Sequence, residues 1–268
     1  MVSMSLSAGT AGQVIAVGRA LGLDITGLQA ETLCRYIELM ARWNKTYNLT
    51  AIRDPQKMLV QHLYDSLSVV SPLIRHAGSQ SLSIMDVGSG GGLPGVVLAI
   101  MRPDWNVVCV DAVEKKTAFI RQVSGTLKLA NLSSRHARIE SLPAQACDIV
   151  ISRAFASLVD FTSWSGHHVR DGGYMVAMKG KIPVEEIRAL EDKGDWLVKR
   201  TEALTVPELE GERCLLWLQA ARGMSSMADQ SAAQGSLQSE PQAPHDGGAS
   251  AQAAMPAFAT RSSKEIVE

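Results

Sequence analysis

The sequence predicts an α/β fold: a mostly parallel sheet of seven strands with helices on both faces, preceded by an N-terminal helical cap. Three observations predict it. From Ser81 onward, short apolar runs alternate with helix-like stretches, as strand–crossover–strand units do. Ser83 to Gly95 reads as a buried strand that enters a glycine-rich turn and then a helix. Residues 1–72 carry helix-start signals and apolar residues at helical spacing.

Within the cap, Thr26 and Gln29 form a capping box, with Leu28, Leu33, Ile37, Met40 and Trp43 as the apolar stripe behind it. Asp54-Pro55 supplies an N-cap followed by proline at the first helical position. Met58, Leu59, His62, Leu63 and Leu67 make the next stripe. His62 is expected to be a core-edge histidine donating to a carbonyl, since no second His or Cys is spaced to join it. Asn48-Leu49-Thr50 matches a glycosylation acceptor, a match discounted where no secretory signal is read.

In the sheet, Ile84, Met85 and Val87 supply the first strand and Leu93-Pro94 opens a helix to Met101. The turn between them is not the dinucleotide fingerprint G-x-G-x-x-G, because Leu93 stands where its third glycine or alanine belongs. Strand Asn106 to Val110 ends in Asp111, about 20 residues after the glycines. A ribose-binding carboxylate falls there, and so does a plain N-cap for the helix Val113 to Leu129. Leu132 to Arg138 is a third strand or edge segment leading to Ile139-Glu140, and Cys147 to Ile151 is a fourth leading to Arg153. Gly173 to Met178 is a fifth leading to Lys179; Trp196 to Val206 and Cys214 to Ala220 form a closing hairpin. Ligands of open parallel sheets bind beyond the carboxyl ends of the strands, where Gly88, Asp111, Ile139, Glu140, Arg153 and Lys179 fall.

Composition bounds the function classes. Hydrophobic content of 46% and charged content of 20% are those of an ordinary globular protein. No apolar run reaches the roughly 18 residues of a membrane span, and Met1 to Ala11 lacks signal-peptide features, so a cytoplasmic location is expected. Cys34, Cys109, Cys147 and Cys214 are scattered without a C-x-x-C pair, which predicts reduced, mostly buried thiols and no metal site. The chain holds 26 cations and 27 carboxylates; two and five of these lie beyond Arg222, leaving 24 against 22 before it. That mildly basic balance permits a phosphate-binding face. From Gly223 the composition turns to Ser, Ala, Gln, Gly and Pro, and a disordered tail is expected.

The motif Asp86-x-Gly88-x-Gly90-x-Gly92 resembles the first motif of the class I methyltransferases that use S-adenosyl-L-methionine. That cofactor lacks a pyrophosphate, so an acidic strand end beside a bare backbone turn suits it, with Asp86 toward its ammonium and Asp111 toward its ribose. The blocks Trp43 to Thr50, Asp65-Ser66, Asp86 to Gly95, Ile151 to Ala156 and Lys179-Gly180 resemble those of the bacterial RsmG (GidB) family, in its order. The resemblance spans about Asp24 to Gln219. It implies a Rossmann-like class I fold; together with the patterning and composition, a cap at 1–72, a methyltransferase domain at 73–222 and, outside the resemblance, a tail at 223–268 are expected. The resemblance implies methylation of guanine N7 in 16S rRNA or the small ribosomal subunit; a monomer with no metal and no membrane partner is expected. Gly88, Gly90, Leu93, Ile139, Glu140 and Arg153 are then placed at the cofactor, Arg153 also meeting the substrate. Arg138 and Lys179 become candidates for holding RNA. Gly91 departs from the family, where proline is frequent, which leaves a more flexible loop expected. A nicotinamide oxidoreductase is disfavoured by the missing fingerprint. A non-catalytic RNA-binding module, or a methyltransferase for another substrate, stays open on residues alone.

Overall fold

A computed structural model describes residues 8–221 apart from Ala154 and Ala156. The expected tail at 223–268 lies outside the described residues, as do two positions of the Ile151 to Ala156 block. The sheet has seven strands in the order β3-β2-β1-β4-β5-β7-β6. They are β1 (Ser83–Val87), β2 (Asn106–Asp111), β3 (Leu132–His136), β4 (Cys147–Ser152), β5 (Val169–Lys179), β6 (Trp196–Leu204) and β7 (Arg213–Ala220). The first five pair in parallel; β7 inserts antiparallel between β5 and its hairpin partner β6. β1 therefore sits mid-sheet with β2 and β4 beside it, which brings the turns after all three strands to one edge.

Each strand buries alternate residues on opposite faces. Ile84, Ile149, Ile151 and Val176 join one core with the cap and the helices α6 (Gly95–Met101) and α7 (Glu114–Leu127). Met85, Val87, Val150 and Met175 join a second with α8 (Leu158–Ser165) and α9 (Val184–Lys193). The cap helices α1 (Ala8–Ala20), α2 (Gly27–Tyr47) and α5 (Val70–Ala77) thus share one apolar core with the sheet.

The capping box is present: Gln29 N–H donates to Thr26 Oγ1 at 3.2 Å, and Thr26 N–H donates to Gln29 Oε1 at 3.0 Å. The apolar stripe behind it needs one correction, because Leu28 is 75% exposed. It stands five residues before Leu33, about 140° away around a 3.6-residue helix. Asp54 caps as expected, its Oδ1 accepting Lys57 N–H at 2.9 Å, with Pro55 opening α3 (Pro55–Met58). The chain then runs through a π-helical segment, Leu59–Tyr64, into α4 (Asp65–Leu67). Apart from Gln61, every residue from Met58 to Val70 is buried, because the cap and the sheet together surround this segment. Pro94 stands at the N-cap of α6 and not inside it, so that helix begins two residues later than the sequence suggests.

Candidate active site

The glycine turn after β1 is shaped by left-handed backbone. Gly88, Gly90 and Gly92 have φ of 66°, 58° and 91°, conformations that cost other residues strain. Gly88 N–H donates to Val110 O at 2.9 Å, and Gly90 N–H donates to Asp111 Oδ2 at 2.9 Å. Asp111's other oxygen accepts Val113 N–H at 2.9 Å, and Lys116 Nζ lies 3.7 Å from Oδ2. Asp111 thus ties the first turn to the start of α7, two residues ahead of the N-cap position that Val113 holds. From the cap side, Tyr36 donates its hydroxyl to Gly91 O at 2.7 Å, and Met40 packs where a Cβ on Gly91 would point. The turn is held from both sides despite its glycines.

Asp86 lies beneath the turn, fully buried, and does not line the cleft above it. Its Oδ2 accepts Gly95 N–H at 2.8 Å, while Oδ1 is buried without a protein partner. Burial pushes the Asp86 carboxyl up to about 7, against the Gly95 hydrogen bond and the Arg153 charge that favour ionisation. Gly95 has to be glycine here: a Cβ would stand 2.5 Å from Cys109 Sγ and 2.9 Å from Asp86 Oδ2.

A cleft of about 280 Å³ opens over the turn. Its floor is the backbone of Gly88 to Gly91 with Leu93; Lys116 and Arg153 stand at its sides. The cap supplies the remaining wall: Met40, Leu49, Thr50 and His62. Asn44 shapes that wall by donating to Ile52 O at 2.9 Å and accepting Thr50 N–H at 2.9 Å, which folds the chain after α2 back on itself. His62 Nε2 then meets Thr50 Oγ1 at 2.9 Å, so its partner is a hydroxyl and not the expected carbonyl. Burial first, and Arg153 second, lower His62 to about 4, so the ring is neutral at neutral pH.

Arg153 donates through Nη1 to Asp65 Oδ2 at 3.1 Å and to Gln61 O at 3.2 Å. Asp65 is buried, and its Oδ1 accepts from Arg213 Nε at 2.9 Å. One carboxylate therefore holds an arginine from each of two strand ends.

The structure brings Gly88, Gly90, Leu93 and Arg153 together at the cleft, with Asp111 bonded to its floor. The other expected residues stand elsewhere. Ile139 is buried in the second core and its carbonyl accepts from His168 Nε2 at 3.1 Å. Glu140 and Arg138 are exposed and 3.9 Å apart, and they do not line the cleft; the chain just before them is tied to Asp111 through Ala137 N–H on Asp111 O at 3.2 Å. Lys179 is corrected most: its ammonium donates to Glu186 Oε2 at 2.8 Å and Phe155 O at 3.1 Å, and Glu186 in turn accepts Leu158 N–H. It ties the loop after β4 to α9, because a lysine at a half-buried strand end finds a nearby carboxylate before it finds solvent.

Sequence reasoning missed Tyr36, Thr50, Asp65, Lys116 and Arg213 as parts of this site. Thr50 and Asp65 stood inside blocks carrying the family resemblance, but nothing local marked the others. The four cysteines are buried and free, as expected.

The sheet order β3-β2-β1-β4-β5-β7-β6 is that of the class I methyltransferase fold. The family model GidB, described as rRNA small subunit methyltransferase G, matches residues 29–216. A protein named Ribosomal RNA small subunit methyltransferase G from Bordetella pertussis is 61% identical over 208 residues, covering 76% of this chain and 90% of its own length. Its namesake from Leptothrix cholodnii is 49% identical over 213 residues, covering 80% of this chain and 97% of its own length. The match takes in the cap wall, the glycine turn and both arginines on Asp65, so the chain belongs to the GidB family.

Proposed function

We propose that the protein transfers a methyl group from S-adenosyl-L-methionine to N7 of a guanine in 16S rRNA of the small ribosomal subunit. The observation that carries this reading is the cleft: bare glycine backbone with the Asp111 carboxylate bonded to its floor, a fixed arginine and, among the described residues that line it, no cysteine or carboxylate. The residues fit that cofactor. A Cβ on Gly90 would meet nothing within 4 Å, which leaves room beside the turn, and the second lone pairs of Asp111, whose Oδ2 is bonded to the floor of the cleft, suit a hydroxyl-bearing ligand. When bound, the cofactor supplies an electrophilic methyl group on a sulfonium.

The chain's own contribution is positioning. Guanine N7 has an in-plane lone pair and no proton, so the residues need not remove one. Arg153, anchored from behind by Asp65, presents a planar fork suited to the O6 edge or a phosphate. Asp65 also offsets Arg153's charge, which eases the positive charge gained by the methylated base. Leu49, Met40 and Leu93 exclude water around the reacting atoms. Methyl transfer from labelled cofactor to small-subunit RNA, with the modified atom mapped, tests this. Label at guanine N7 is expected; label on a protein, or no label, overturns it.

A further inference from the structure

The outer side of the cap wall carries a surface that the cleft itself does not use. Residues 42–57 hold four cations, Arg42, Lys45, Arg53 and Lys57, against one carboxylate, Asp54, whose Oδ1 is engaged by Lys57 N–H. All four cations are exposed, and among the described residues none of them is in an ion pair. By contrast, Arg138 and Lys179, the basic residues the sequence favoured for RNA, are each paired with a glutamate.

An exposed aromatic stands among these cations. Tyr47, 44% exposed, is fixed at the end of α2 by Trp43, ring centroids 4.7 Å apart, and Trp43 rests on Phe119 of α7 at 5.5 Å. Next to it Arg53 Nη2 reaches Asn48 Oδ1 at 3.4 Å, which keeps the arginine at the same helix end. The inner side of this wall is Leu49 and Thr50, which line the cleft.

We propose that this surface, Lys45, Tyr47, Arg53 and Lys57, is where a single-stranded stretch of the RNA substrate lies. Its phosphates sit on the three cations and one base stacks on Tyr47, so that the neighbouring nucleotide turns over the wall into the cleft. Cations tracking a backbone beside an immobilised aromatic form the arrangement that binds unpaired RNA. The inference rests on the reading that the substrate is RNA.

The test compares wild type with Lys45→Gln/Arg53→Gln/Lys57→Gln, and separately with Tyr47→Ala and Tyr47→Phe, using small-subunit RNA and S-adenosyl-L-methionine as probes. The triple variant is expected to bind RNA at least about tenfold more weakly. Its plot of log affinity against log salt should be shallower by about 2, since each single-strand phosphate contact contributes about 0.7. Cofactor affinity by calorimetry should be unchanged, because none of these side chains lines the cleft. Tyr47→Ala should weaken RNA binding and Tyr47→Phe should restore it. If wild type methylates the RNA and the triple variant keeps the wild-type affinity and salt slope, the surface is wrong. If wild type neither binds nor methylates RNA, the functional reading beneath it fails as well.

Discussion

Arg153 Nη1 and Asp65 Oδ2 lie 3.1 Å apart, 88 residues distant in the chain, and this contact joins the cap to the sheet at the mouth of the cleft. Arg153 follows β4, whereas Asp65 begins α4. Because Asp65 is buried and also accepts from Arg213, it cannot swing away with Arg153; the arginine is held through Nη1 while it lines the cleft.

Asp65→Asn keeps the shape of this anchor and removes its charge. Both arginines are about a quarter to a third exposed, so solvent screens part of the loss. A destabilisation of about 1–3 kcal/mol is expected, read as a lowered midpoint in urea with an unchanged slope. Single-turnover methyl transfer should fall by about tenfold or more with cofactor affinity within about twofold. Unchanged transfer would show that Arg153 does not depend on its anchor.

The glycines separate folding from binding. Gly95→Ala places a Cβ against Cys109 and Asp86, deep in the core, and should lower stability by about 1–3 kcal/mol as an overpacking change. Gly90→Ala has free space and costs only the left-handed φ, about 1–2 kcal/mol. Thermal melts should therefore show both variants weakened, while calorimetry should show cofactor affinity reduced by Gly90→Ala beyond any change in folded fraction. Intact affinity in folded Gly90→Ala would mean that the turn is not the cofactor's seat.

What the sequence made legible is what is local. The capping box, the Asp54-Pro55 start, the apolar strand runs and the left-handed turn each lie within a few residues, where backbone preferences decide. The cleft wall was not legible, since His62 meets Thr50 only after Asn44 folds the intervening chain, and Arg213 reaches Asp65 across 148 residues. The π segment was equally hidden: a stripe of apolar residues at helical spacing says nothing of a helix buried on every side. Lys179 shows the converse, a residue well placed at a strand end whose charge is engaged by a glutamate seven residues on, at the start of α9.

Two buried groups give opposing pH dependences to stability. His62 is lowered from 6.5 to about 4, so the stability linked to it is present above pH 6.5 and is lost as pH falls through 4, about 3 kcal/mol in full. Asp86 is raised from 3.8 to about 7, so its share is present below pH 3.8 and is lost as pH rises through 7, about 4 kcal/mol in full. Between pH 4 and 7 the two nearly cancel. Relative to wild type, Asp86→Asn should gain melting temperature as pH rises across this window and His62→Gln should lose it. Parallel profiles for all three proteins would contradict both shifts.

The rate of the chemical step offers the sharpest check on the acceptor atom. N7 is unprotonated at neutral pH, so no residue has to accept a proton, and the titratable ring nearest the reaction, His62, is already neutral above about 4. Arg153 keeps its charge throughout. Single-turnover transfer with saturating cofactor and RNA should therefore be nearly flat from about pH 6 to 9, the range in which a histidine base would show itself. Asp86, pushed up to about 7 by burial, lies beneath the turn and does not line the cleft, so it is not placed to take a proton from the acceptor. Arg153→Lys should lower the rate by about tenfold or more at every pH, because an ammonium keeps the charge but loses the planar fork. A rate that instead climbs about tenfold per pH unit to a midpoint near 7, and loses that climb in His62→Gln, would put a working base in the cleft. An acceptor that must shed a proton, such as an exocyclic amine or a hydroxyl, would then replace N7.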